Sequence, residues 1–104
     1  MSYPVRGQVG SGLAFRGGNY LTLSITADAI AIASRPGLPG RWNLRCTKTE
    51  RPIVTLIGPR ADRITGVRIF GRAGHAELRL TGELRRQIPA DLARLGWPTQ
   101  RAWS

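Results

Sequence analysis

The stretch "NYLTLSITADAIAIAS", residues 19–34, decides the fold because its apolar residues alternate with polar or small ones. Leu21, Leu23 and Ile25 share one face of the first run, and Ile30 and Ile32 share one face of the second. Alternation with a period of two indicates strands that have one buried face. The two-residue interval Ala27-Asp28 between the alternating runs predicts a tight hairpin.

The same alternation continues along the chain in "RWNLRCT" (41–47), "TGVRIFG" (65–71) and "HAELRLTG" (75–82). Its predicted inward residues are Trp42, Leu44, Cys46, Val67, Ile69, Ala76, Leu78 and Leu80. "PIVTLIG" (52–58) is apolar nearly throughout, which fits a strand covered on both faces and leaves a short helix open. These patterns predict six strands within residues 19–81. Residues 1–18 are either a glycine-rich N-terminal segment or, through "VRGQVGSGLAF" (5–15), a seventh strand.

Residues 83–95 predict a helix, because the apolar residues Leu84, Ile88, Leu92 and Leu95 recur at spacings of four, four and three. Pro89 either kinks this helix or lies in its first turn. Asp91 favours a start at Pro89, and Gly96 followed by Pro98 is typical of a helix end. The apolar stripe must be buried, so we expect the helix to cover the open mouth of the sheet. Residues 99–104 form a tail.

The sequence therefore predicts one domain over residues 1–104, large enough for a single core. Its fold class is mainly β: an antiparallel meander that forms a small roll or barrel of six or seven strands with one C-terminal capping helix.

Charge is the most unusual property of the chain, since 16 basic residues oppose six acidic ones and give a net charge of +10. All the basic residues but Lys48 are arginines. Such a charge attracts polyanions: nucleic acid, an acidic membrane surface or an acidic protein. The arginines are dispersed, however, so they either solvate the surface or form a patch that only the fold assembles.

Catalytic and metal-binding residue sets are missing from the sequence. Cys46 is the single cysteine and His75 the single histidine, which excludes an internal disulfide and a Cys/His zinc site. No nucleophile, base and orienting group form a local motif. We therefore expect a protein that is not an enzyme, that has no cofactor or metal, and that is cytoplasmic, since neither a signal peptide nor a membrane span is predicted.

From residue 19 to 98 the chain resembles the small bacterial domains of pleckstrin-homology-like fold. The residues that carry the resemblance are the meander of strands and "TGVRIFGRAGHAELRLTGELRRQIPADLARLGWP", with a "GVRI" strand, a last strand and a short helix that ends in "LGWP". In that family a seven-stranded roll is capped by a C-terminal helix, and the domains are mostly binding modules.

The resemblance implies a binding site in loops opposite the helix or at the sheet edges. If residues 5–15 form the first strand, the loops that hold Arg16, Arg35 and Arg41, joined by Arg72, would bind an anion. Arg101 beside Trp103 is a second candidate, since an exposed tryptophan next to arginine is a common partner anchor. The expected function is a non-catalytic interaction or assembly module that binds an acidic protein partner or other anionic ligand, or that self-associates. The alternative is a nucleic-acid-binding protein that uses dispersed arginines on a β-barrel.

Overall fold

The computed structural model describes residues 2–11, 14–16, 20–34 and 43–103 of the chain. In these ranges eight strands precede a single α-helix and a ninth strand follows it. The strands are β1 (Ser2–Ser11), β2 (Ala14–Arg16), β3 (Leu21–Ile25), β4 (Ala29–Ser34), β5 (Asn43–Thr47), β6 (Ile53–Gly58), β7 (Gly66–Phe70), β8 (His75–Arg79) and β9 (Gln100–Trp103). A 3₁₀ turn spans Lys48–Glu50, and helix α1 spans Leu84–Arg94.

One mixed sheet contains all these strands, in the order β5-β4-β3-β1-β8-β7-β6-β9, with β2 paired to β1 outside this path. Strand β1 is shared between the two halves of the sheet. Its residues 2–5 pair with β3, and its residues 6–10 pair with β8 on the other edge. The N-terminal strand therefore joins the β3–β5 meander to the β6–β8 meander.

The predicted alternation is confirmed by burial along the described strands. None of the predicted inward residues from Leu21 to Leu80 is more than 3% exposed, apart from Trp42, which lies outside the described residues. The hairpin between β3 and β4 is also tight, since the Thr26 N–H donates to the Ala29 carbonyl at 2.9 Å across Ala27-Asp28.

Strand β6 differs from its prediction, because it is not covered on both faces. Val54 and Leu56 are buried, whereas Ile53 is 48% exposed and Ile57 is only partly buried. The outer face of the β6–β8 meander has no element of the described chain packed over Ile53. The apolar run 52–58 thus forms a strand with one buried face, and Ile53 lies on the exposed face.

The sheet also departs from a purely antiparallel meander of six or seven strands. Residues 2–11 and 14–16 are strands, and Gln100–Trp103, predicted as a tail, pairs in parallel with Thr55–Gly58 of β6. This pairing is possible because helix α1 returns the chain to the open edge of β6. In the described residues β5 and β9 end the strand path without pairing to each other, so closure into a roll or barrel stays a prediction.

Helix α1 covers the core as its apolar stripe predicts. Ile88 and Leu92 are no more than 1% exposed, and Leu84 and Leu95 pack against the same core at the ends of the stripe. The predicted end of the helix is confirmed: Gly96 has φ +80°, and the N–H groups of Gly96 and Trp97 donate to the carbonyls of Ala93 and Leu92.

The predicted start of the helix at Pro89 is wrong, because Pro89 lies inside the helix, five residues after Leu84. An interior proline costs about 3 kcal/mol, since it leaves the carbonyl four residues before it without a donor. Burial of Ile88 and Leu92 contributes about 1.5–3 kcal/mol each and offsets this cost. Tertiary packing therefore overrides the local signal.

Three polar contacts hold the C-terminal half of the helix and the residues that follow it on the rest of the fold. The Tyr3 hydroxyl of β1 donates to the buried Asp91 carboxylate. The Trp97 indole N–H donates to the Thr26 carbonyl at 2.8 Å, and Lys48 Nζ donates to the Leu95 carbonyl at 2.7 Å. Asp91 thus accepts hydrogen bonds from the core side and is not a first-turn charge.

Candidate anion-binding site

Two arginines meet on the outer face of the sheet where β1 passes from β3 to β8. Arg6 of β1 and Arg79 of β8 are directly paired residues in the antiparallel register, and both are exposed. Paired residues on neighbouring strands project from the same face with their Cα atoms about 4.5–5.5 Å apart. The register therefore places two positive charges side by side, an arrangement that is unfavourable without an anion.

Tyr20 orients one of the two guanidinium groups. Arg6 Nη2 donates to the Tyr20 hydroxyl oxygen at 3.2 Å, and the guanidinium carbon of Arg6 lies 5.0 Å from the centroid of the Tyr20 ring. Cation–π contact and hydrogen bond together restrict the rotamers of Arg6. The Arg79 side chain, in contrast, forms no hydrogen bond or ion pair with any residue in the described part of the chain.

Arg6 and Arg79 stand between two grooves and line both of them. The helix-side groove, of about 190 Å³, lies beside Tyr20, Thr81 and the first residue of α1, Leu84. The sheet-side groove, of about 490 Å³, extends over Gly66 toward Thr65 and Ile57. The two arginines therefore form a ridge from which either groove can be reached.

The sheet-side groove exists because Gly66 has no side chain between Arg79 on β8 and Ile57 on β6. Gly66 pairs with both of these residues, and a Cβ built on it would lie 3.8 Å from the Ile57 Cβ. Two residues along the same face, Arg68 Nε donates to Glu77 Oε1 at 2.9 Å. Glu77, the acidic residue nearest the ridge along β8, is thus already paired with an arginine of β7.

A second basic cluster, Arg45 and Arg72, lies near Glu50, whose carboxylate offsets part of its charge. Hydrogen bonds from Thr47 hold the pKa of Glu50 below its ordinary value, and the charges of Arg72 and Arg45 lower it further. Arg72 lies in the turn between β7 and β8, at the opposite end of β8 from Arg79. Arg79 is four positions beyond His75 along the strand, a distance of about 13 Å. The two basic clusters are therefore distinct.

The arginines predicted as one anion-binding mouth are only partly placed. Arg35 and Arg41 lie outside the described residues. Arg16 is the last residue of β2 and pairs with Val9 of β1, whereas Arg72 lies near Glu50.

The second predicted pair lies on β9. Arg101 pairs with the inward-facing Leu56, so its register position is on the opposite face of the sheet from Arg6 and Arg79. Trp103 pairs with Gly58 at the last position of β9.

Sequence reasoning did not select Arg6 and Arg79 as site residues. Arg79 lies between the buried residues Leu78 and Leu80, and Arg6 follows the buried Val5, so the alternation identifies both arginines as outward-facing. Their proximity depends on the pairing of β1 with β8 across more than seventy residues, which no local pattern reports.

Other chemistry is limited in the described part of the chain. It contains no group of three or more histidine, cysteine or acidic residues that could hold a metal ion. Cys46 is buried, and its burial, followed by the nearby charge of Glu50, raises the pKa of the thiol and makes it a poor nucleophile. His75 is buried and stacks on Phe70 with ring centroids 5.5 Å apart. None of the described helices is both long and apolar enough to cross a membrane.

Comparison with known proteins found no match to a family model, a curated protein or a solved structure. The resemblance to the small bacterial pleckstrin-homology-like domains therefore stays a prediction.

Proposed function

We propose that this protein is a non-catalytic interaction module that binds an acidic segment of a protein partner across the Arg6–Arg79 ridge. The observation that carries the proposal is the pairing of two exposed arginines, of which Arg79 has no acidic partner in the described chain. A carboxylate or other anion bound between them reduces the repulsion and accepts charge-assisted hydrogen bonds. In the unbound protein the two arginines therefore repel each other, and binding of an anion lowers this electrostatic repulsion.

The shape of the surface favours an extended protein segment over nucleic acid. Nucleic-acid binders neutralise several phosphates along a continuous basic path. On this face the ridge supplies two guanidinium groups, while Arg68 is engaged by Glu77, and Arg45 and Arg72 lie near Glu50. The apolar residues Pro4 and Val5 also line the helix-side groove, which suits side chains of a protein.

The test is a fluorescence-anisotropy titration of the full chain with a labelled glutamate-rich peptide, and with single-stranded DNA, duplex DNA and RNA, over a salt series. The variant Arg6→Gln/Arg79→Gln removes the ridge. A matched control, Arg60→Gln/Arg63→Gln, removes the same charge from the exposed loop between β6 and β7.

We expect the ridge variant to bind the acidic peptide about tenfold more weakly, because each exposed ion pair contributes up to about 1 kcal/mol. The control variant should bind nearly as the parent does. Equal weakening of both variants would mean that binding follows net charge alone and would refute the proposal. Nucleic acid bound more tightly than the peptide at about 0.15 M salt would instead establish the nucleic-acid alternative.

A further inference from the structure

Beyond binding an acidic segment, the ridge has a charge and a geometry that select one kind of anion. Arg6 and Arg79 present two guanidinium groups from adjacent strands toward the helix-side groove. A single carboxylate carries one negative charge and two oxygens, so it balances one guanidinium. A phosphoryl group carries about two negative charges at pH 7 and offers three acceptor oxygens, so it can bridge both.

The groups around the ridge are arranged for such a bridge. Tyr20 holds the Arg6 guanidinium in place through its ring and its hydroxyl oxygen, which reduces the conformational entropy that Arg6 loses on binding. The Thr81 side chain lines the same groove, is exposed, and makes no hydrogen bond with any described residue. Its hydroxyl is a donor for the oxygen that the arginines leave unbound.

The two grooves meet at the ridge, and this suits a phosphate carried on a polypeptide. An extended chain in the sheet-side groove can place one phosphorylated side chain over the ridge and into the helix-side groove. A lipid headgroup with several phosphates requires more cations than the two present here. Glu77, already paired with Arg68, borders the sheet-side groove and discourages a second phosphate there.

We infer that the helix-side groove binds the phosphoryl group of a phosphorylated protein segment, held between Arg6 and Arg79. The inference rests on the proposed function, since it names the anion that the same ridge prefers.

Three labelled peptides of one sequence, containing phosphoserine, glutamate or serine at a single position, test the inference against the full chain at about 0.15 M salt. We expect the phosphoserine peptide to bind about tenfold more tightly than the glutamate peptide, because charge-assisted hydrogen bonds to both arginines are gained. Inorganic phosphate should displace the phosphoserine peptide.

Charge-preserving variants separate geometry from charge. Arg79→Lys and Arg6→Lys keep the net charge but lose the forked donors, so each should remove most of the preference for phosphoserine. The control Arg63→Lys, in the loop after β6, should keep it. Tyr20→Phe keeps the ring beside Arg6 but loses the hydroxyl, and should weaken phosphoserine binding several-fold.

Phosphoserine and glutamate peptides that bind equally, and both through Arg6 and Arg79, would overturn the inference and leave the proposed function intact. Binding of neither peptide through the ridge would refute both. A soluble inositol bisphosphate headgroup that binds more tightly than the phosphoserine peptide would overturn the choice of a protein ligand.

Discussion

Replacement of Tyr3 by phenylalanine tests how the helix is held on the sheet. The Tyr3 hydroxyl donates to the Asp91 carboxylate, and both residues are only 7% exposed. The second donor to that carboxylate is Arg94, at 3.0 Å, whose side chain is 59% exposed. Tyr3→Phe therefore removes the buried donor and leaves a buried carboxylate with one partner at the surface.

The expected cost follows from these two environments. A hydrogen bond to a charged group contributes about 1.5–3 kcal/mol, and an exposed ion pair no more than about 1 kcal/mol. We expect Tyr3→Phe to lower the free energy of unfolding by about 1.5–3 kcal/mol. For a chain of this length the melting temperature should fall by at least about 6 °C.

Chemical denaturation of Tyr3→Phe, Asp91→Asn and the double variant measures the pairwise coupling. Tyr20→Phe is the matched control, because Tyr20 is 44% exposed and its loss of a hydroxyl should cost less than about 0.5 kcal/mol. The reasoning would be refuted by a Tyr3→Phe variant as stable as Tyr20→Phe. Strict additivity of the Tyr3 and Asp91 effects would contradict it as well.

Three further predictions concern the stability contributed by Leu92, the pKa of Glu50 and the reactivity of Cys46. Leu92→Ala should destabilise the chain by about 2–5 kcal/mol and Leu95→Ala by less, since Leu92 is 1% exposed and Leu95 only partly buried; thermal unfolding distinguishes them. The pKa of Glu50, followed by NMR, should lie below its ordinary value and rise in Thr47→Val. Its contribution to stability is then present above the unfolded-state pKa and is lost as the pH falls through the lower folded-state pKa. Cys46 should react slowly with a thiol reagent at neutral pH in the folded chain and rapidly in denaturant, because burial raises its pKa; equal rates would contradict this.

The buried side of the fold was predictable because it is encoded locally. Period-two alternation identified the inward residues of β3, β4 and β5, and helical spacing identified Ile88 and Leu92. Each signal needs only a few consecutive residues, since the side-chain period of a strand or helix is fixed by backbone geometry.

The pairing of distant segments was not predictable by the same means. Strand β9 has only four residues, and its pairing depends on the edge of β6 that the rest of the fold leaves open. Pro89 gave a misleading local signal, because packing of the helix outweighed the loss of one backbone hydrogen bond. The position of Asp91 two residues after Pro89 favours a helix start there, but Asp91 instead accepts a hydrogen bond from Tyr3, 88 residues away. No local pattern reports that contact.

Strand β1 accounts for both the stability and the location of the candidate site. Its first residues pair with β3 and hold the helix through Tyr3, whereas Arg6 is the first residue that pairs with β8. A strand that changes partners leaves a gap on one edge where the first pairing stops, and the helix-side groove opens there, lined by both Arg6 and Tyr20. The arginine pair therefore lies at the junction between the two halves of the sheet. At this junction Tyr20, next to β3, orients Arg6 through its ring and its hydroxyl oxygen, so one of the two guanidinium groups is preorganised for binding.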